Sequence, residues 1–445
     1  MNYKEAMDYI ESISPIGIVP GLESIKTLCG LLGNPQDSLR FVHIAGTNGK
    51  GSVLAYISTI LKCGGYRVGR YISPVIFDYR ERIQVNGRKI TKKALCEGME
   101  LVREKCLRMT RRGLPQPTPF EVETALAFWY FKEQKCDIVV LETGMGGLLD
   151  ATNLVNSTLV AVITSVGRDH MRFLGDSLEE IATQKAGIIK NGCDVICMQQ
   201  KETVLKTVQE EAGRKGAVFH LSDVSKATHI KYGLERQTFD YGGCRKLEII
   251  LGGKYQIANA VLALDTLRLL ERRGYPVKEA ALRKGLKETV WEGRLTVLDK
   301  NPLFIADGAH NEDAAQKLAD SVELYFTNKR IIYIIGMLRD KECERVIALT
   351  YQYAEQVITV TPPENPRAMS SLELAQEIAK VHPQVTAVDS LEEAVELSRL
   401  LAGKEDVILA FGSLSYLGPL MEIVRKHGES RKDKGSSKTF VRGNR

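Results

Sequence analysis

The sequence predicts an α/β fold of two parallel-sheet domains, the second of them Rossmann-like, with a small antiparallel addition to the first. Short apolar, β-branched runs alternate with helical periods up to about residue 228, and again after about residue 300. This alternation is typical of parallel sheets with helices on both faces. Between these regions, residues 230–251 are rich in aromatic, Gly and Thr positions, which predicts hairpin strands.

Apolar runs predict the strands of the first domain, and helical periods stand between them. The predicted strands are Phe41–Ala45, Ile138–Leu141, Leu159–Thr164 and Asp194–Met198. The predicted helices are Ser52–Cys63, Pro119–Gln134 and, after the hairpin segment, Gln256–Arg273.

The second domain begins after a change in the sequence pattern around Trp291–Arg294. Its predicted strands are Phe304–Ala306, Arg330–Ile335, Gln356–Val360, Gln384–Ala387 and Asp406–Ala410. Its predicted helices are Glu312–Tyr325, Lys341–Tyr353, Ser371–His382 and Leu391–Leu400. We therefore expect domains at residues 1–295 and 296–424, followed by a basic, disordered tail at 425–445.

The net charge of +6 is concentrated at the C-terminus. The chain holds 61 basic and 55 acidic residues, of which eight basic and two acidic ones lie in residues 425–445. The remaining residues carry 53 of each sign and are neutral. A nucleic-acid-binding domain is expected to carry its basic surface on the folded body, so the charge argues against a nucleic-acid partner.

Cysteine spacing and hydropathy argue against other classes of protein. The nine cysteines are widely spaced and include no C-x-x-C pair, so neither a disulfide framework nor a zinc site is expected. No run approaches the ~20 apolar residues of a membrane span. The first 13 residues lack the apolar core of a signal peptide. We expect a cytoplasmic, monomeric protein whose partners are small molecules and not membranes.

A phosphate-binding loop is predicted where the strand Phe41–Ala45 meets the next helix. The connecting residues Gly46–Ser52 read G-T-N-G-K-G-S. Glycines let backbone amides approach phosphate closely, and the helix N-terminus adds a positive dipole. Lys50 can reach terminal phosphates and the Ser52 hydroxyl can face Mg²⁺, as in a P-loop. The two-residue spacing before Gly-Lys is shorter than the usual four, so a generic ATPase or GTPase fits poorly. A Gly-rich turn without a ligand is the alternative.

Two strands of the first domain end near residues that could bind a metal. Glu142 ends the run Ile138–Leu141, and His170 follows Leu159–Thr164. Ligands of open α/β sheets bind at the carboxyl ends of strands. Mg²⁺ prefers oxygen ligands, and neutral imidazole also coordinates metals. The alternatives are a surface glutamate and a polar loop histidine.

Four other residues also need interpretation. Asp307 ends a strand and Asn311 precedes a helix, which suggests either a site in the second domain or helix caps. Arg294 could bind phosphate or could be a linker arginine. Lys185 lies in the helical stretch of residues 180–187, and its pattern predicts only one more exposed lysine.

Together these motifs resemble the folylpolyglutamate synthase and dihydrofolate synthase family, a branch of the Mur-type ATP-dependent amide ligases. The resemblance extends from about Gly21 to Leu417. The blocks that carry it are residues 31–52 (LLGNPQDSLRFVHIAGTNGKGS), 140–153 (VLETGMGGLLDATN), 163–190, 291–294 (WEGR), 307–311 (DGAHN), 336–341 (GMLRDK) and 365–370 (NPRAMS).

The resemblance implies that the protein uses ATP and two Mg²⁺ ions as cofactors, and it implies a set of site residues. ATP would contact Asn48, Gly49, Lys50, Gly51, Ser52, Asn259, Arg294 and Asp307. The metal ligands would be Ser73, Glu142, His170 and Lys185, with the lysine carried as a carbamate. The pterin-binding residues would be Thr118, Pro119, Phe120, Glu121, Leu149, Asp150 and Ala151. The catalytic residues would be Lys50, Lys185, His170, Asp307 and His310.

The implied reaction forms an amide between a folate-type carboxylate and L-glutamate, driven by ATP through an acyl phosphate. The acceptor would be dihydropteroate or tetrahydrofolate. The chain has Val75, Leu148 and Tyr255 where the family often has His, Arg and His. One rival is a cell-wall ligase of the same chemistry, which should carry a long N-terminal domain before the loop. Another is a P-loop switch protein that hydrolyses ATP slowly and ignores glutamate.

Overall fold

The computed structural model describes residues 1–17 and 19–436, which form two compact units. The first unit contains residues 1–231, 238–250 and 256–290. The second contains residues 232–237, 251–255 and the described chain from 291 onward. The main boundary thus lies five residues before the predicted one. The reason is that the segment after Val290 bonds within the second unit, where Gly308 N donates to Gly293 O over 2.8 Å.

The strands up to residue 250 form two sheets in the described chain. They are β1 (Phe41–Ala45), β2 (Val68–Tyr71), β3 (Ile83–Val85), β4 (Arg88–Lys89), β5 (Ile138–Glu142), β6 (Thr158–Ile163), β7 (Asp194–Met198), β8 (Val218–Ser222), β9 (Thr228–Lys231), β10 (Gln237–Tyr241) and β11 (Cys244–Ile249). The larger sheet has the order β4-β3-β2-β5-β1-β6-β7-β8 and is parallel from β2 to β8. Strands β9–β11 form the smaller sheet, which confirms the predicted antiparallel addition.

Helices cover both faces of the larger sheet. They are α1 (Tyr3–Ile13), α2 (Glu23–Leu31), α3 (Lys50–Cys63), α4 (Lys92–Arg111), α5 (Pro119–Glu133), α6 (Met171–Leu174), α7 (Leu178–Ala186), α8 (Glu202–Arg214), α9 (Gln256–Arg272) and α10 (Glu279–Glu288). One apolar core joins β1, β2 and β5 to α1, α2, α4 and α5. Another core joins β6 and β7 to α7 and α8. The central strand β1 is buried at all five positions, as its apolar sequence predicts.

The second unit is a six-stranded sheet in the described residues, with the order β12-β13-β17-β14-β15-β16. The strands are β12 (Thr296–Lys300), β13 (Leu303–Ala306), β14 (Ile331–Ile335), β15 (Gln356–Thr359), β16 (Val385–Ala387) and β17 (Val407–Phe411). The helices are α11 (Glu312–Tyr325), α12 (Cys343–Thr350), α13 (Ser371–Ala379), α14 (Leu391–Leu401) and α15 (Leu414–Ser436). The five predicted strands are confirmed and pair in parallel. The sequence missed β12, an antiparallel edge strand that is only half-buried.

The tail differs from its prediction. Helix α15 extends to Ser436, whereas the sequence predicts a disordered tail from residue 425. Residues 437–445 lie outside the described chain. The helix is already nucleated by buried residues such as Tyr416 and Leu420, and extending an existing helix is far easier than starting one. Arg425 adds an ion pair, with its Nη2 2.8 Å from Glu292 Oε1.

Two exclusions can be stated for the described residues. No helix there is at once long and apolar enough to span a membrane. All nine cysteines lie in that part of the chain and are free thiols.

Candidate functional site

The loop between β1 and α3 depends on two glycines with positive φ. Gly46 has φ 156°, and a Cβ there would lie 1.8 Å from Thr164 Oγ1. Gly49 has φ 92°, and a Cβ there would lie 2.8 Å from Asn259 Oδ1. A side chain at either position would strain the backbone and collide with a neighbour. The tight turn predicted from the glycines is therefore present, and α3 starts directly after it at Lys50.

Two lysines converge on this loop. Lys50 Nζ donates to Gly46 O over 3.1 Å and to Thr47 O over 3.2 Å. Lys185 Nζ donates to the same Gly46 O over 2.9 Å. Lys185 is only 3% exposed, so the sequence-based expectation of an exposed lysine is wrong. Helix α7 comes close because Gly147 has no side chain, and a Cβ there would lie 2.8 Å from Lys185 O.

Burial changes the chemistry of Lys185. Desolvation, with a smaller contribution from the positive charge of Lys50, lowers its pKa to about 7, while Asp169 and Asp150 oppose the shift. A lysine with this pKa is partly neutral near pH 7. Only the neutral amine can attack CO₂, so burial makes Lys185 suited to carbamate formation.

Ser52 belongs to a chain of amide contacts beneath the loop. Its side chain is buried, and its Oγ accepts a hydrogen bond from Gln256 Nε2 over 3.2 Å. Gln256 Oε1 in turn accepts from Asn259 Nδ2 over 3.0 Å. Asn259 is the residue that leaves no room for a side chain at Gly49. Sequence reasoning selected Asn259 and Ser52 but missed Gln256, which connects them.

Ser73 and Glu142 meet at the carboxyl ends of the neighbouring strands β2 and β5. Ser73 N donates to Glu142 Oε2 over 3.4 Å. Glu142 is 4% exposed, so the alternative of a surface glutamate is wrong. The Ser73 Oγ is buried and has no hydrogen-bond partner among the described residues. A buried hydroxyl without a partner, beside a buried carboxylate, fits a site for a hard cation with oxygen ligands.

His170 lies further along the same edge, after β6. It has φ 50° and is the residue that precedes the short helix α6. Its side chain is 36% exposed, and its Nε2 is 3.9 Å from Asp169 Oδ1. Within the described residues, no three His, Cys, Asp or Glu side chains are grouped as a metal site. The structure therefore brings Ser73 together with Glu142 but does not complete the predicted ligand set with His170.

The predicted pterin segment at Thr118–Glu121 starts helix α5. Thr118 and Glu121 form a capping box, and Glu121 Oε1 also accepts from Ile25 N over 3.1 Å. These contacts give Glu121 a structural role that the T-P-F-E sequence could have indicated. Phe120 packs closely over Gly144 in the loop after β5. A Cβ on Gly144 would lie only 2.6 Å from the Phe120 ring, so this packing requires glycine.

The second predicted pterin segment, residues 149–151, lies in the loop after β5. Leu149 is 46% exposed, whereas Asp150 is buried and Ala151 is also buried. Asp150 Oδ2 accepts from Met145 N over 2.9 Å. Its Oδ1 accepts from Thr152 N over 3.0 Å and from Thr152 Oγ1 over 2.5 Å. Burial raises the pKa of Asp150, and these donors oppose that rise.

In the second unit, Asp307 is buried and fully engaged in hydrogen bonds. Its Oδ2 accepts from Leu295 N over 2.9 Å and from Tyr255 OH over 3.2 Å. Its Oδ1 accepts from Ala309 N over 2.8 Å. The Tyr255 phenol thus helps to hold the Asp307 carboxylate in place. Burial and the Asp307 charge raise the pKa of Tyr255, so it stays a donor.

The remaining predicted residues of the second unit surround Gly308. Arg294 Nη1 donates to Gly293 O over 2.8 Å and lies 2.1 Å from the place of a Cβ on Gly308. His310 Nδ1 donates to Gly308 O over 2.7 Å. Asn311 Oδ1 accepts from Ala314 N over 3.0 Å, so the helix-cap interpretation of Asn311 is confirmed.

Comparison with known proteins decides the family. The Mur ligase middle domain matches residues 44–267, and the Mur ligase glutamate ligase domain matches residues 293–414. The dihydrofolate synthase/folylpolyglutamate synthase of Bacillus subtilis is 32% identical over 430 residues, covering 94% of this chain and 98% of the relative. The chain belongs to the folylpolyglutamate synthase/dihydrofolate synthase family.

Solved structures of the folylpolyglutamate synthase/dihydrofolate synthase family agree with this fold. The folylpolyglutamate synthase of Thermotoga maritima matches with TM-score 0.81 and 34% identity, covering 96% of this chain and 97% of that one. E. coli FolC in complex with DHPP and ADP matches with TM-score 0.82 and 30% identity, covering 96% and 98%. The α/β class with its two mainly parallel sheets is therefore confirmed.

Proposed function

We propose that this protein is an ATP-dependent ligase that joins L-glutamate to folate-type acceptors. Membership of the family and the match of both Mur ligase domains support the proposal. The observation that carries it is the convergence of Lys50 and Lys185 on the Gly46 carbonyl, at the N-terminus of α3. A glycine-rich loop with Lys50 at a helix N-terminus suits the phosphates of a nucleoside triphosphate, and it brings buried Lys185 next to them.

The proposed reaction has two steps. The acceptor carboxylate attacks the γ-phosphorus of ATP, so that an acyl phosphate forms and ADP leaves. The amine of glutamate then attacks the acyl carbon, phosphate leaves, and the amine loses a proton as the amide forms. Lys50 and the backbone amides of the loop orient the phosphates and stabilise negative charge as it moves.

Ser73, Glu142, His170 and a carbamylated Lys185 would hold the Mg²⁺ ions. The Ser73 hydroxyl supports this, because it has no hydrogen-bond partner in the described part of the chain. Bound Mg²⁺ would neutralise phosphate charge at this edge of the sheet. In the second unit, Asp307, Arg294 and His310 are proposed as contacts to ATP or as catalytic groups. Their hydrogen bonds fix their orientation without any ligand.

Phe120, Leu149 and Asp150 are the proposed contacts to the acceptor. They combine an aromatic ring, an exposed apolar side chain and a buried carboxylate that is already oriented. This combination fits a flat heteroaromatic ring with N–H donors. The complex of E. coli FolC with DHPP supports a pterin-type acceptor. We expect both tetrahydrofolate extension and dihydropteroate glutamylation, by a monomer in the cytoplasm.

Phosphate release under four conditions tests the proposal. The protein is assayed with ATP alone, with an acceptor, with glutamate, and with both, using dihydropteroate and tetrahydrofolate in turn. We expect phosphate release only when an acceptor and glutamate are both present, and its loss in Lys50→Met. Rapid hydrolysis of ATP alone would favour a switch protein. Turnover only with a uridine-nucleotide-linked peptide would favour a cell-wall ligase.

A further inference from the structure

A fully buried histidine stands behind the proposed acceptor site. His43 is the middle residue of β1, is 0% exposed, and shares a sheet face with Phe41. Its Nε2 lies 2.9 Å from Thr152 Oγ1. Thr152 is itself fully buried, in the short 3₁₀ turn of residues 151–154 that follows Asp150. His43 is two residues from the end of β1, where the phosphate loop starts.

The hydrogen-bond directions in this group can be assigned. The Asp150 carboxylate can only accept, so the Thr152 hydroxyl, 2.5 Å from Asp150 Oδ1, donates to it. The hydroxyl has a single proton, so toward His43 it must accept. The imidazole therefore carries its proton on Nε2, and the buried Nδ1 is bare and has no partner in the described chain. A chain of donors thus runs from His43 through Thr152 to Asp150.

We propose that His43 is a positioning residue for the acceptor, which acts by fixing the Thr152 hydroxyl on the Asp150 carboxylate. Without the His43 N–H, the Thr152 hydroxyl loses the partner that sets its rotation. Asp150 would then keep its backbone donors Met145 N and Thr152 N, but the Thr152 hydroxyl that donates to it would be less firmly oriented. Hydrogen bonds in a buried chain strengthen one another, so the loss at His43 weakens the bond at Asp150.

The inference rests on the proposed function, because it assigns Asp150 to acceptor binding. Its expected signature is a change in the KM for the acceptor with little change in kcat or in the KM for ATP. A merely structural histidine would instead lower stability and leave the ratio of the two KM values unchanged.

Two substitutions at position 43 separate these roles. His43→Gln places an amide N–H where Nε2–H stands, and His43→Met fills a similar volume without a donor. We expect His43→Met to raise the acceptor KM roughly tenfold and His43→Gln to stay within about threefold of the native value. Thr152→Val, which removes the hydroxyl, should behave like His43→Met, and Thr152→Ser, which keeps it, should behave like His43→Gln. These two variants provide the test if a position-43 variant does not fold. His382→Met is the matched control, since His382 is also buried but bonds a backbone carbonyl of the second unit.

Equal acceptor KM values for the Gln and Met variants would overturn the proposal. So would variants that lose stability in urea but keep the native KM for the acceptor. A failure of the proposed function is seen separately, as absence of acceptor-dependent phosphate release in the native protein. In that case the hydrogen-bond chain is still tested by ¹⁵N NMR of the imidazoles. A native His43 protonated at Nδ1 would contradict the assignment.

Discussion

Replacing Gly49 by alanine should lower both the stability of the protein and its affinity for a nucleotide. The structure allows each effect to be estimated separately. The backbone at Gly49 has φ 92°, a conformation that costs a residue with a side chain about 1–2 kcal/mol. The new Cβ would also lie 2.8 Å from Asn259 Oδ1, and crowding of this kind costs about 1–3 kcal/mol. We therefore expect Gly49→Ala to lower the free energy of unfolding by about 2–5 kcal/mol.

The collision also has a functional consequence. Asn259 can move away only by disturbing its bond to Gln256, which itself donates to Ser52 Oγ in the proposed phosphate loop. Breaking one buried hydrogen bond costs about 1–3 kcal/mol, and each 1.4 kcal/mol is about tenfold in affinity. We expect the affinity for ADP to fall between about tenfold and a hundredfold.

Gly192→Ala is the matched control. Gly192 also has positive φ, 69°, but a Cβ there would meet nothing within 4 Å. It should show the backbone strain alone, about 1–2 kcal/mol, with unchanged ADP affinity. Urea denaturation measures the first quantity and titration calorimetry with ADP and Mg²⁺ the second. If the two variants matched in both measurements, the contact with Asn259 would carry no energy and the reasoning would be wrong.

Four more outcomes are expected. Ser73→Ala should raise the Mg²⁺ concentration that turnover needs without lowering stability in urea, because the Ser73 hydroxyl has no hydrogen-bond partner among the described residues. A stability loss above about 1 kcal/mol would contradict this. Lys185→Ala should lower turnover by roughly a hundredfold, and short carboxylic acids should restore part of it; mass spectrometry that finds unmodified Lys185 in fully active enzyme would refute the carbamate. Burial and nearby Lys190 lower the pKa of His43 to about 3 from an ordinary 6.5, so the unfolded chain binds the extra proton between these values. Stability should therefore rise with pH across that window, by about 5 kcal/mol in all, and His43→Gln should flatten this slope in urea titrations from pH 4 to 7. Arg425→Ala should cost at most about 1 kcal/mol, since its pair with Glu292 is partly exposed, and deletion of residues 428–445 should leave turnover unchanged; a large loss of phosphate release on deletion would show that this segment acts in the reaction.

Most parallel strands could be predicted, because a strand that is buried on both faces reads as a continuous apolar run. Strands β1, β7 and β14 follow this rule closely. Strands β4 and β12 were missed for the opposite reason. Both are short and carry Lys, and they are exposed or half-buried, so their sequences contain no apolar signal. The parallel strands β2 and β8 were not predicted either.

The candidate site was predictable only as far as its motifs are local. The two glycines and Lys50 lie in one short segment, and the turn they form matches expectation. The burial of Lys185 depends instead on contact with the loop around Gly147, far away in the sequence. Helical periodicity shows which face of a helix a residue lies on, but it does not show which other segment of the chain packs against that face. The bond from Tyr255 to Asp307 escaped prediction for the same reason.

Because Gly147 has no side chain, the loop of residues 144–153 packs directly against residues 184–187, and the two segments should change together in evolution. Leu148 N donates to Gln184 O over 2.7 Å, and Asn153 Nδ2 donates to both Leu148 O and Gly187 O over 3.0 Å. These bonds fasten the loop with Leu149 and Asp150 to the last turn of α7. The proposed acceptor contacts and the proposed carbamate at Lys185 therefore depend on the same set of hydrogen bonds. A chimera that exchanges residues 144–153 with a relative should keep its activity only if residues 184–187 are exchanged with them.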